Sequence, residues 1–263
     1  MTDVTPTGLD AHKPAEIARL IRQAGIAKAN MPLLQLITLS MLGGAFISFG
    51  ALFYTQTTAG FGELNGALKL IGGISFSLGL ILVVVGGAEL FTGNTMIVMA
   101  YVDRKISRAA LIRNWIIVFI GNLIGCAVTL ALVYGSGLLE GSMASRAVAI
   151  AEAKSTLGFA EAFCRGVLCN ALVCLAVWLA VSARTAIGMI LSIVWPVSAF
   201  VAIGLEHSIA NLYLIPAGMA AGADVTTVAL IGNLFPVVLG NVVGGAGGVA
   251  LAYRMAYGPV LVE

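Results

Sequence analysis

Charge along this chain falls in short intervals, and the stretches between them are long and apolar. Four stretches carry no charge at all: residues 29–62, 114–139, 166–183 and 225–253. A helix needs about 20 mainly apolar residues to cross the hydrocarbon of a bilayer. Each stretch therefore predicts one span, the first over Leu33 to Tyr54 and the second over Asn114 to Tyr134. Two further stretches, 70–102 and 185–223, run for 33 and 39 residues and are interrupted only by Glu89 and by Glu206 with His207. Each is too long for one straight helix, and the parts beyond the charges are short for a second span. The economical reading is one broken helix per stretch, since irregular backbone at membrane depth survives where it is buried in protein or lines a wet cavity. The pattern predicts an all-α membrane protein of six spans, the second and fifth discontinuous.

Composition agrees with lipid as the solvent. Hydrophobic residues make up 60% of the 263, charged residues 10%, and the mean hydropathy is +1.03. A soluble domain carries about 25% charged residues. The 32 glycines fit as well, because Gly is more frequent in membrane helices than in soluble ones. A net charge of +2 with scattered basic groups offers no face to nucleic acid. Cys126, Cys164, Cys169 and Cys174 lie inside apolar runs without metal-like spacing, so neither a disulfide scaffold nor a metal site is expected.

The first 32 residues are polar, carry Lys13, Arg19, Arg22 and Lys28, and do not read as a cleavable signal peptide. Within them, residues 14–29 place Ile17, Leu20, Ile21 and Ala24 on one helical face, with Arg19, Arg22 and Lys28 largely off it. That predicts an amphipathic helix lying on the membrane surface. The expected organisation is this N-terminal segment followed by one membrane domain over 33–256. Six spans put both termini on one side. That side collects ten of the fourteen Lys and Arg, against four (Lys69, Arg146, Lys154, Arg165) on the other. The positive-inside rule makes it the cytoplasmic side of an inner membrane.

The broken stretches resemble each other. Residues 87–94 (GAELFTGN) and 204–211 (GLEHSIAN) share Gly-x-Glu-x-x-x-x-Asn at an offset of 117. Residues 121–125 (GNLIG) and 240–244 (GNVVG) share Gly-Asn-x-x-Gly at an offset of 119. Three spans per half force the second half to enter from the opposite side. The halves, about 33–135 and 160–256, are inverted repeats whose breaks meet near the midplane, an arrangement that points to a solute pathway. Half-helix N-termini offer N–H groups and a positive dipole end to an anion. Intramembrane Glu89, Glu206 and His207 are functional candidates by default.

The motifs GAELFTGNT at 87–95, CNALVCLAVW at 169–178, EHSIAN at 206–211 and GNVVGG at 240–245 resemble the formate/nitrite transporter family, with a match running from about residue 30 to 255. The resemblance implies a homopentamer of aquaporin-like protomers, each with its own pore for small weak-acid anions. These are formate or nitrite and, in some branches, hydrosulfide or short-chain carboxylates. It implies that His207 is the central pore histidine and that Thr92 and Asn211 are its hydrogen-bonding neighbours. Phe76, Leu80, Phe91 and Phe200 match hydrophobic constrictions, and Lys154 and Asn170 match groups at the outer vestibule. Gly93-Asn94 is closer to nitrite-type members, whereas Glu206 to Pro216 resembles the formate type, so the anion stays open.

The physics is compatible. An anion enters an apolar slit only at a cost of many kcal/mol, whereas a neutral weak acid does not. Lys154 would concentrate the anion, and His207 would hydrogen-bond it or hand it a proton, so formate would move together with H⁺. Glu89 and Glu206 read best as structural supports of the two breaks, accepting backbone N–H bonds. Glu161 and Arg165, at i and i+4, read as a helix-end ion pair. Trp115, Trp178 and Trp195 suit an aromatic belt.

Rival functions find less support. A water or glycerol channel would be expected to carry two Asn-Pro-Ala motifs, and the chain has none. An intramembrane enzyme using Glu206 and His207 would need a nucleophile or metal set, for which neither Gly-x-Ser-x-Gly nor His-Glu-x-x-His speaks. A pump would need a phosphate-binding loop, and that motif is missing too. No cofactor is expected.

Overall fold

The computed structural model describes residues 11–258, and no strand occurs among the described residues. The first half of the chain forms α1 (Pro14–Ala29), α2 (Leu33–Thr58), α3 (Gly66–Gly86), α4 (Phe91–Val102) and α5 (Arg108–Gly135). The second forms α6 (Gly141–Ser155), α7 (Phe159–Ser182), α8 (Ala186–Ile203), α9 (Ser208–Ala220) and α10 (Thr227–Tyr257). Six helices are long and apolar enough to span a membrane: α2, α3, α5, α7, α8 and α10. Helices α4 and α9 are shorter and apolar; the 13 residues of α9 reach about 20 Å. Each continues a preceding span beyond a break, as the charge pattern predicts.

Glycine makes both breaks possible. Gly87 and Gly204 end α3 and α8 with φ of +82° each, a left-handed backbone that an L side chain adopts only under strain. The chain then runs extended for a few residues and restarts as α4 and α9, with Leu90 and His207 at the two N-caps.

The halves pack by one plan. Helix α2 lies against α5 and α3 as α7 lies against α10 and α8, and α3 meets α8 across the repeat interface. The repeated Gly-Asn-x-x-Gly serves this packing. A Cβ on Gly125 would strike the Met41 carbonyl oxygen, and one on Gly244 the Val167 carbonyl oxygen. Small residues there let the backbones touch, which is where helix pairs in lipid gain dispersion energy.

The helices before the spans belong to the plan too. Helix α1 packs on α4 and α6 on α9, and Lys28 and Lys154 end them at equivalent places. The structure thus gives each half five helices, where the sequence suggested three spans and one surface helix. Helix α1 buries Ile17, Ala18, Ile21, Arg22, Gly25 and Ala29. Arg22, expected on the polar face, turns inward because Asp103 waits there, and Ala24 is exposed instead. Asp103 accepts from Arg22 at 3.2 Å and from Arg254 of α10 at 2.9 Å, tying both ends of the chain to the loop after α4.

Removing the carboxylate leaves two guanidinium groups facing each other. Losing such a buried charged partner costs about 1–3 kcal/mol. Asp103→Asn is therefore expected to raise the hydrogen exchange of α1 amides about ten- to hundredfold while the spans stay protected. Unchanged protection of α1 would show that its apolar face alone holds it.

The tryptophans depart from a simple belt. Trp195 is exposed, but Trp178 is buried and stacks on Tyr253, and Trp115 donates its ring N–H to the Asn94 carbonyl. Arg165 does pair with Glu161 at i and i+4.

Candidate functional site

The breaks are held by two copies of one hydrogen-bonded frame. In the first half, Asn122 Oδ1 accepts from the Phe91 N–H (2.9 Å), and its Nδ2 donates to the carbonyls of Glu89 (2.9 Å) and Ser40 (2.7 Å). In the second, Asn241 Oδ1 accepts from the Ser208 N–H (2.9 Å), and its Nδ2 donates to the carbonyls of Glu206 (3.0 Å) and Gly166 (2.8 Å). One amide thus satisfies both the carbonyl just before the N-cap and the first helical N–H of each break. The peptide groups at the breaks would otherwise be orphaned in a dry interior.

The carboxylates form a second, matching layer. Glu89 accepts from Lys28 (2.7 Å) and from Asn94 Nδ2 (2.7 Å), and Asn94 also donates to Asn114 (3.0 Å). Glu206 accepts from Lys154 (2.8 Å) and from Asn211 Nδ2 (2.6 Å), and Asn211 also donates to Asn233 (2.8 Å). The glutamates lie at the breaks but bond lysine and amide side chains there rather than accepting backbone N–H groups. Lys154 is accordingly engaged with Glu206, and Asn211 points at that carboxylate.

Two cavities open on opposite sides of this frame. One, of about 220 Å³, is lined by Phe76, Phe200, Lys154, Glu206 and His207 among others. The other, of about 430 Å³, is lined by Leu80, Leu90, Lys28, Glu89 and Val83 among others. Phe76 and Phe200 meet edge to face, with ring centroids 5.7 Å apart, and Phe200 stacks on His207 at 6.0 Å.

His207 occupies the N-cap of α9. A backbone amide can only donate, so the 3.0 Å contact from the Ala210 N–H makes Nδ1 an acceptor. The neutral ring then carries its proton on Nε2, 2.9 Å from Thr92 Oγ1 on α4. Imidazole and hydroxyl so join the two half-helices at the centre. Both side chains are buried.

Three expected residues lie elsewhere, the first being Asn211, whose side chain bonds Glu206 and Asn233 rather than the His207 ring because it faces back toward the carboxylate. Phe91 lines neither cavity; its ring packs edge to face on Phe119 at 5.2 Å, because it is the first residue of α4 and turns into the bundle. Its neighbour Leu90 lines the cavity in its place. Asn170 is fully buried away from any vestibule, donating to the carbonyls of Asn241 (2.6 Å) and Thr92 (3.2 Å). Leu90 was legible in principle, since the offset of 117 makes it the repeat counterpart of His207.

Half-helices meeting head-on between opposed cavities, in a bundle of six apolar spans, define a small-solute pore through a membrane. Comparison with known proteins agrees. The chain is 46% identical over 250 residues to an uncharacterized transporter, YrhG, of Bacillus subtilis, covering 93% of each chain. It is 40% identical to the formate channel BtFdhC of Bacillus thuringiensis, covering 94% of this chain and 96% of that one. It is 39% identical to the formate channel FocA of Escherichia coli, covering 93% and 94%. Among solved structures it is similar to a pentameric formate channel with formate bound, with a TM-score of 0.77, 34% identity, and 86% and 97% of the chains covered. It is also similar to an FNT family ion channel, with a TM-score of 0.82, 30% identity, and 94% and 98% covered. The sequence model of the formate/nitrite transporter family matches residues 15–255, and the chain belongs to that family. These relatives are channels and transporters, not enzymes.

Proposed function

We propose that the chain conducts formate, and nitrite by the same route, as weak acids that cross in net neutral form. The observation that carries this reading is the His207–Thr92 pair, a hydrogen-bond donor set between two apolar constrictions. Phe76 and Phe200 line the cavity on one side and Leu80 and Leu90 that on the other, so in this reading a bare anion meets hydrocarbon on both. At the centre the Nε2–H and the Thr92 hydroxyl hold the carboxyl group in place of water. The anion takes a proton from water on the entry side and returns it on the exit side, so one H⁺ crosses with each formate.

The cavity holding Lys154 is assigned to the outer face and that holding Lys28 to the cytoplasmic face, following the ten-to-four split of basic residues. Both termini are then cytoplasmic, in the inner membrane. The apolar outer surface of the spans, Ile116, Leu132, Leu191 and Val228 included, faces lipid or a neighbouring protomer. The pentamer of the solved relative supports the same assembly here.

The test is a flux comparison in proteoliposomes loaded with a pH dye. Formate and nitrite are expected to pass with proton movement, at least tenfold faster than glycerol. Faster flux of hydrosulfide or acetate would reassign the substrate, and glycerol or water flux without proton movement would overturn the reading.

A further inference from the structure

The two cavities are built from equivalent positions, so a residue present at one and replaced at the other is not demanded by the scaffold. The offset that pairs Lys28 with Lys154 is 126 residues, and it also pairs Ser40 with Gly166, both acceptors in the asparagine frame. At that offset Arg146 corresponds to Leu20 and Arg165 to Leu39. Both arginines line the outer cavity, whereas Leu39 lines the inner one. The outer cavity therefore holds Arg146, Lys154 and Arg165 with Glu206, and the inner one Lys28 with Glu89.

Bonding leaves Arg146 available. Its Nε donates to Thr58 Oγ1 (3.1 Å) and one terminal nitrogen to the Tyr54 hydroxyl (3.4 Å), both neutral partners. Among the described residues no carboxylate pairs with it. It is half-buried, sits on the α6 face that also presents Ile150, Ala153 and Lys154, and lines one cavity with Phe76 and Phe200. Arg165 donates to the Gly204 carbonyl (3.1 Å) and pairs with Glu161. The planar guanidinium is suited to a carboxylate. The cavity volume of about 220 Å³ exceeds what formate needs, being that of about seven waters at about 30 Å³ each.

We infer that Arg146 and Arg165, with Lys154, form a carboxylate-binding subsite at the outer mouth that the inner mouth lacks. Its ligand is a short-chain monocarboxylate, with the carboxylate on Arg146 and the apolar tail over Phe76 and Phe200. The inference rests on the reading of the chain as a weak-acid pore. A passive pore has equal permeability in both directions at low concentration, so such a subsite is visible as one-sided competition rather than as rectified flux.

The experiment compares right-side-out with inside-out membrane vesicles, measuring initial formate flux against butyrate added on the entry side. Butyrate is expected to compete from the outer face at about a tenfold lower concentration than from the inner face. Arg146→Leu and Arg165→Leu, which install the residues the other repeat uses, should remove that difference, and Arg146→Lys should keep part of it. Equal competition from both faces, or a difference indifferent to both substitutions, would overturn the subsite. Should the wild type pass no formate, the pore reading fails by itself. Line broadening of ¹³C-butyrate by the purified protein then decides the subsite: broadening lost in Arg146→Leu supports it, and no broadening refutes it.

Discussion

Replacing His207 by Phe is expected to cut formate flux about 10- to 100-fold, while what remains still moves with protons because the apolar slit admits only the neutral acid. The ring supplies a buried hydrogen bond to the crossing acid, and a buried group left without its partner costs about 1–3 kcal/mol, which is about that factor in rate. The difficulty with this position is that it also caps α9, through the Ala210 N–H on Nδ1. A dead His207→Phe protein could be a misfolded one. His207→Asn separates the two roles, because Asn is among the best N-caps yet carries no imidazole. The expected result is an Asn variant with wild-type thermal stability and impaired formate flux in the pH-dye assay. If both variants carry formate and protons like the wild type, the central-histidine mechanism is wrong.

The second large effect concerns stability. Asn241→Leu removes an acceptor from the Ser208 N–H and donors from the carbonyls of Glu206, at the break before α9, and of Gly166 on α7. Interhelical hydrogen bonds in membrane proteins average only about 0.6 kcal/mol when the abandoned partner finds another. A buried group left unpaired costs about 1–3 kcal/mol. The two groups at the break cannot turn away, whereas the Gly166 carbonyl keeps its partner within α7, so the higher figure governs for two groups and the loss is about 2–6 kcal/mol. Thermal unfolding of the detergent-solubilised protein should show it as a fall in Tm of many degrees or as lost yield. Asn122→Leu breaks the matching set at Phe91, Glu89 and Ser40 and should cost the same within about 1 kcal/mol. A mild effect at either position would mean that the break is held by the carboxylate layer alone.

Much of this frame could be read from the chain. Glu89 and Glu206 interrupt apolar runs, and the shared Gly-x-Glu-x-x-x-x-Asn and Gly-Asn-x-x-Gly motifs gave the inverted repeat and both breaks. What escaped was whatever lacks a motif. Helix α6 is short and its apolar run covers only Ala147 to Ala151, too little to mark a span, so its equivalence to α1 shows only in Lys28 and Lys154 gripping the two glutamates. Phe91 and Leu90 are adjacent apolar residues, and hydropathy cannot say which of two neighbours turns to the cavity when the backbone between them changes from extended to helical. Arg22 departs from the amphipathic pattern for a related reason. Amphipathic patterning assumes that charge seeks water, whereas Asp103 draws this one inward.

The matched halves also bear on how the protein is oriented during insertion. One set of buried asparagine, glutamate and glycine contacts is satisfied twice, once with the half-helix running one way through the bilayer and once with it reversed. Packing of this kind is indifferent to direction and cannot tell the cytoplasm from the outside. The sense of insertion must be written instead in the unmatched residues, the surplus of lysine and arginine in loops that the repeat does not copy. Fold and sidedness are thus encoded in separate parts of one sequence, and each can change without the other.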